Sequence, residues 1–145
     1  MANNGPAGYY GLDSLLPHRP PMLIIGEIVE VDAEHAVTLN TVDPAWPMAD
    51  REGVPSLITV ELAAQTAGIC NGWVRIQTQG PASDQTGWLV AVKKAVFYDA
   101  HLSFGLKLTV RADNTLAFDK FREVASTVHH DGRLLAEMVL QLYQP

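Results

Sequence analysis

The sequence predicts an α+β domain in which one antiparallel β-sheet curls around a single long central α-helix. Three observations lead there. Only one stretch, from Pro55 or Ser56 to about Gln79, reads as a long helix, and it is apolar nearly all round, so it needs cover on most sides. Alternating, β-branched segments flank it, two before and four after. Short polar turn dipeptides join those segments, as antiparallel neighbours require.

In chain order, residues 1–12, rich in Gly, Asn and Tyr, read as a loose arm of an otherwise single domain spanning 1–145. "LLPHRPP" follows, and Pro17, Pro20 and Pro21 forbid a regular helix within it. "MLIIGEIVEV" (22–31) is predicted as a strand with Gly26 as a bulge, and "HAVTLN" (35–40) as a second strand after a turn at 32–34. A proline-broken segment, "TVDPAWPMADREGVP", then leads to the helix. Proline suits a first helical turn, because its missing N–H has no helical partner there. At about 1.5 Å per residue the helix spans roughly 35 Å. "QGPASDQTG" closes it. The remaining strands are "GWLVAVKKAVFY", "LKLTVRA", "LAFDKFREVASTV" and "RLLAEMVLQLY", the last of which has Leu, Ala, Glu and Met that would also suit a helix, with turns expected at Asp113-Asn114 and Asp131-Gly132. Ala64, Gly68 and Gly72 recur every four residues and let another backbone come close. Such a sheet keeps exposed edges, which pairing with a second copy removes.

Composition narrows the function. The 145 residues include 48% hydrophobic and 18% charged positions, with a net charge of −6 and no basic cluster. Nucleic acid and anionic membrane surfaces are therefore poor partners. The single cysteine, Cys70, cannot form an internal disulfide, and "MANNGPAGYYG" has neither the charged nor the apolar region of a secretory signal. The most apolar run, 57–70, is too short to cross a bilayer and carries Glu61 and Gln65. A cytoplasmic location is expected. No spacing supports a metal site or Cys-His catalysis, and no cofactor is expected.

Glu61 is the residue that asks for an explanation, a carboxylate among Leu57, Ile58, Val60, Leu62, Ala63, Ala64 and Ala67. Burial raises a carboxyl pKa and the helix N-terminus lowers it, and the sequence does not decide between them. Gln65 stands one turn away, within hydrogen-bonding reach of Glu61. The plain alternative is an acid satisfied by the helix dipole or a neighbouring amide.

The run "LLPHRPPMLIIGEIVEV", the proline-rich loop and "PSLITVELAAQTAG" together resemble the β-hydroxyacyl-acyl carrier protein dehydratases, which have the hot-dog fold. The likeness is nearer to the dehydratase-like branch of polyketide and aryl polyene pathways, and runs from about Leu15 to Tyr143. Leu16, Pro17, His18, Arg19 and Pro21 match one motif; Pro55, Glu61, Ala63, Ala64 and Gln65 match the other. The resemblance implies a homodimer or higher homo-oligomer with two pockets across the interface, an acyl carrier protein or coenzyme A thioester as substrate, and Glu61 as catalytic carboxylate. It implies substrate-binding roles for His18, Trp46, Pro55, Ser56, Leu57, Ile58 and Gln65. The family's loop histidine has no counterpart: its position falls on Ala45 of Ala45-Trp46-Pro47-Met48. His18 is the first candidate for a replacement base, with Asp43, Asp50 and the more remote His101 behind it. Three activities stay open: dehydration of a 3-hydroxyacyl thioester, thioester hydrolysis, and silent acyl binding beside an active paralogue in a heteromer.

Overall fold

The computed structural model describes residues 11–145. The expected N-terminal arm, 1–12, lies outside the described residues except for Gly11 and Leu12, and Leu12 opens a short helix, α1 (Leu12–Leu15). The strands that follow are β1 (Glu27–Val31), β2 (His35–Thr41) and β3 (Gly53–Pro55). Then come the long helix α2 (Ile58–Gln79) and strands β4 (Trp88–Phe97), β5 (His101–Ser103), β6 (Lys107–Phe118), β7 (Phe121–His130) and β8 (Arg133–Tyr143). Six strands form one antiparallel sheet in the order β1-β2-β6-β7-β8-β4, while β3 and β5 pair separately. The sheet wraps α2, which makes this the hot-dog fold. No helix among the described residues is long and apolar enough to cross a membrane.

Alternation along the strands builds the core. Leu108, Val110 and Ala112 of β6 point inward, as do Met138, Leu140 and Leu142 of β8, against Leu62, Ala63, Ile69 and Cys70 of α2. Helix α2 starts at Ile58, with Leu57 as its N-cap just after Pro55 and Ser56. It ends where Gly80 turns to φ 87° and its N–H closes on the Ile76 carbonyl.

The small-residue stripe is used within the chain. A Cβ on Gly72 would fall well inside contact distance of the Leu15 carbonyl, and one on Gly68 would lie 2.7 Å from Leu16 Cδ2. Buried Arg75 fastens the same junction, donating from Nη2 to the Ser14 carbonyl (2.6 Å) and from Nη1 to Ser83 Oγ (2.6 Å).

Three sequence expectations are corrected. First, the strand over 22–31 shortens to β1, because the Met22 and Leu23 amides close back on the Arg19 carbonyl and those of Ile24 and Gly26 go to side chains instead of to a neighbouring strand. Ile24 N–H donates to Gln65 Oε1 (3.1 Å) and Gly26 N–H to Asn40 Oδ1 (2.9 Å). Second, Asp113-Asn114 is not a turn. It lies inside β6, with Asp113 facing His35 on one side and Ala125 on the other. Third, "LAFDKFREVASTV" is not one strand: the chain reverses at Asp119-Lys120, between the paired residues Phe118 and Phe121, with Asp119 at φ 55°. Asp131-Gly132 does turn the chain, with both residues at positive φ (47° and 79°), as a tight hairpin requires.

Candidate functional site

A cleft of about 210 Å³ runs along one face of α2, where Glu61, Ala64, Gly68 and Asn71 form its floor. Leu15–His18 wall one side; Trp88, Leu89, Leu142 and Tyr143, from the start of β4 and the end of β8, wall the other. The motif around His18 is held by Arg19, whose Nη1 donates to the carbonyls of Leu16 (2.7 Å) and His18 (2.8 Å) and whose Nη2 donates to that of Asp13 (3.1 Å). The motif arginine thus ties down the turn that carries the histidine.

His18, Glu61 and Gln65 come together. His18 Nε2 lies 3.3 Å from Glu61 Oε1, and Gln65 Nε2 donates to the same oxygen at 2.8 Å. Among the described residues, Glu61 Oε2 has no hydrogen-bond partner, and the side chain is partly exposed to the cleft. The hydrogen bond from His18 holds the Glu61 carboxyl below its ordinary value. Burial opposes that and the Gln65 amide adds to it, so the net direction is down. Glu61 therefore rests as a carboxylate.

His18 presents its Nε2 to Glu61, while its Nδ1 is buried with no partner among the described residues. Neither ring nitrogen is left facing the cleft as a free base. Gln65 is fully buried and also donates to the Met22 carbonyl (2.7 Å), so one amide fixes both the carboxylate and the segment after the proline run.

The other candidates lie elsewhere in a single chain. Trp46 is 9% exposed and sits in a separate groove with Leu23, Ile25, Leu39 and Asp43. It does not shape the Glu61 cleft within the chain. Pro55 belongs to β3, and Ser56 Oγ donates to the Asp99 carbonyl. Leu57 caps the helix at 58% exposure and Ile58 is core. None of these four lines the cleft. The sequence reading missed the cleft walls Trp88, Leu89, Leu142 and Tyr143; no local pattern marks strand ends that meet only in the folded sheet.

A second histidine–carboxylate pair lies at the small sheet ahead of α2. His101 Nε2 is 3.0 Å from Asp50 Oδ2, and Asp50 Oδ1 accepts the N–H groups of Glu52 (2.8 Å) and Gly53 (3.0 Å). Those amides, and then His101, hold the Asp50 carboxyl below its usual value. Gly53 faces Ser103 and Pro55 faces His101, and a Cβ on Gly53 would run into the Leu102 backbone carbonyl and crowd the His101 ring, so glycine is required there. Among the described residues no group of three His, Cys, Asp or Glu could hold a metal ion.

A family model described as ApeP-like, ApeP dehydratase, matches residues 10–145. The 3-hydroxyacyl-acyl-carrier-protein dehydratase FabZ of Agrobacterium fabrum is 38% identical over 76 residues, 48% of this chain and 49% of that protein, so the match spans about half that relative's length. FabZ of Chlamydia pneumoniae is 26% identical over 133 residues, covering 87% of this chain and 84% of that one. Among solved structures, a chain of the dehydratase heterocomplex ApeI:P from Xenorhabdus doucetiae superposes with a TM-score of 0.85 at 25% identity, over 92% of this chain and 90% of that chain.

Proposed function

The chain belongs to the ApeP-like dehydratase family, and from that premise we propose that it acts on 3-hydroxyacyl thioesters, with Glu61 managing the hydroxyl that leaves as water. The substrate is carried by an acyl carrier protein or by coenzyme A. The observation that supports the reading is the half-used carboxylate: Oε1 is engaged by His18 and Gln65, while Oε2 has no partner among the described residues and the side chain lines the cleft, which leaves an acceptor for a substrate hydroxyl. The departing oxygen also needs a proton, and Glu61, in contact with His18, is the titratable group placed beside it. Elimination also needs a base for the weakly acidic C2 proton. His18 does not serve as that base, because its nitrogens face Glu61 and the buried interior. Its role is to keep Glu61 charged and oriented.

A second reading is an acyl-binding subunit working beside an active relative. It is favoured by Ala45 at the position of the family's histidine and by the likeness to a chain of a heterocomplex. Purified protein given a 3-hydroxyacyl carrier-protein thioester and its saturated analogue separates the readings. Loss of water from the former is expected, and Glu61→Gln is expected to lower that rate at least ~100-fold. Thiol release from either substrate would make the protein a thioesterase, and binding with neither product would make it the silent subunit.

A further inference from the structure

The cleft is not closed at the end away from Glu61. Its floor runs through Glu61, Ala64, Gly68 and Asn71, which share one face of α2. At about 1.5 Å per residue, Asn71 stands about 15 Å along the helix from the carboxylate. Between the two the walls are apolar, with Leu15 and Leu16 on one side and Leu89 and Leu142 on the other. Asn71 and Gln144 also line a second, wider groove of about 780 Å³, which continues past them between the C-terminal half of α2 and the β6–β7 turn. Arg75, Thr78, Lys120 and Arg122 stand along that groove. The cleft thus changes from apolar to polar at Asn71.

The Asn71 amide is set for one more partner. Its Oδ1 accepts from Asn114 Nδ2 of β6 at 3.0 Å, which fixes the rotation of the side chain. Its Nδ2 therefore turns away from Asn114, and it has no partner among the described residues. Nor is it sealed in. The buried, unmatched side-chain atoms of the described residues are His18 Nδ1, Arg75 Nε and Asn114 Oδ1, and Asn71 Nδ2 is not one of them. A free N–H at this junction costs little while water reaches it. A purely alkyl chain laid over it displaces that water and strands the N–H, whereas an oxygen on the chain pairs with it.

We propose that Asn71 is a specificity-determining residue, and that the cleft selects acyl chains carrying a hydrogen-bond-accepting oxygen about 15 Å from C3. The proposal rests on the reading above, in which the 3-hydroxyl of an acyl thioester sits at Glu61. Beyond the oxygen the chain passes into the wider groove, so the position of the oxygen is selected and the total length is not. Asn114 is a positioning residue that acts through Asn71 Oδ1.

Binding to the full-length protein tests this without turnover. The probes are three 3-hydroxyacyl pantetheine analogues of equal length, with an amide in place of the thioester. One chain is alkyl throughout, one has a ketone about 15 Å from C3, and one has the ketone at half that distance. By calorimetry the distal ketone is expected to bind ~10-fold more tightly than the alkyl probe. The middle ketone, placed against Leu15 and Leu89, is expected to bind more weakly than either. Asn71→Asp keeps an acceptor for Asn114 Nδ2 and puts an oxygen where the free N–H was. It is expected to abolish or reverse the distal-ketone preference while the circular dichroism of the fold is unchanged. Asn114→Ala is expected to cut the preference to less than ~3-fold at unchanged affinity for the alkyl probe, a split that general loss of structure would not give; an unchanged preference removes Asn114 from this role.

Equal binding of the distal-ketone and alkyl probes by wild type, or a preference that survives Asn71→Asp, overturns the proposal. Turnover of the matching 3-hydroxyacyl thioesters separates it from the dehydratase reading. Selective binding with no loss of water from any thioester sinks that reading and leaves the selection by Asn71 intact. Loss of water with equal kcat/KM for the distal-ketone and alkyl thioesters keeps the reading and overturns the selection.

Discussion

Gln65 gives the most quantitative handle on the site. Replacing it with leucine keeps the volume and removes three hydrogen bonds at once: to the Glu61 carboxylate, to the Met22 carbonyl and from the Ile24 amide. The losses are unequal. Ile24 is 4% exposed, so its N–H is stranded away from water and costs about 1–3 kcal/mol. Met22 is 47% exposed, which lets its carbonyl regain water at a smaller cost. Glu61 keeps its bond from His18 and faces the cleft, so it also recovers in part. The expected total is about 2–4 kcal/mol. For a chain of this length that lowers Tm by roughly 6–16 °C. Urea denaturation followed by far-UV circular dichroism reads it directly, as a lower midpoint at unchanged slope. A loss below about 0.5 kcal/mol would mean that the Ile24 amide finds another acceptor, and the account of Gln65 as the clamp on residues 22–24 would be wrong.

Three further outcomes follow from the same geometry. Carbon-detected NMR should find the Glu61 carboxyl titrating below an ordinary glutamate, and His18→Ala should move it upward, because burial then meets only the Gln65 amide. The sign for stability is that of a depressed acid: its contribution is full above the unfolded-state value and is lost as pH falls through the folded one, so the wild type loses more of it on acidification than His18→Ala does. Gly72→Ala should destabilise by about 1–3 kcal/mol in the same urea assay, since its methyl meets the backbone of Leu15, which cannot swing away as a side chain would; a neutral result would show that α1 gives way freely. Cys70, buried and with its thiol pushed up to about 12, should resist a thiol reagent at neutral pH until urea unfolds the chain, and rapid native labelling would contradict that.

What the sequence made legible followed the physics each signal carries. Helix α2 was readable because Pro55 and Gly80 punctuate a long apolar run. The composition of β8 would also have suited a helix, and it is a strand whose buried residues keep a period of two from Ala136 to Leu142. Asp113-Asn114 misled because the turn-forming side chain has another employment: Asn114 Nδ2 donates to Asn71 Oδ1 of α2 (3.0 Å) and its backbone N–H to the Glu34 carbonyl (2.8 Å), which holds β6 straight. Strands β3 and β5, three residues each, are too short to show a period. The apolar run Leu23–Ile25 looks like a strand but is satisfied by Gln65 and, one residue on, by Asn40. Such partners, 41 and 14 residues away, leave no trace in local pattern. Within the site, Glu61, His18 and Gln65 were legible one by one, whereas their sharing of a single oxygen atom was not.

That sharing also bears on why an acid stands in an apolar helix at all. A carboxylate kept only for structure is cheapest when both oxygens are saturated, because an unmet buried acceptor costs free energy. Gln65 and Asn40 follow that rule, while Arg75 Nε and Asn114 Oδ1 are buried without a partner. Gln65 meets three partners, and Asn40 accepts from Gly26 N–H while donating to Thr38 Oγ1 at 2.9 Å. Glu61 departs from it: two donors converge on Oε1, while Oε2 has no partner among the described residues and the side chain lines the cleft. Its charge is maintained by His18, a histidine whose other nitrogen goes unsatisfied in order to be there. One buried atom, His18 Nδ1, goes unmet beside a carboxylate whose second oxygen has no protein partner among the described residues and stays within reach of whatever enters the cleft, which is the arrangement an acceptor for a hydroxyl needs.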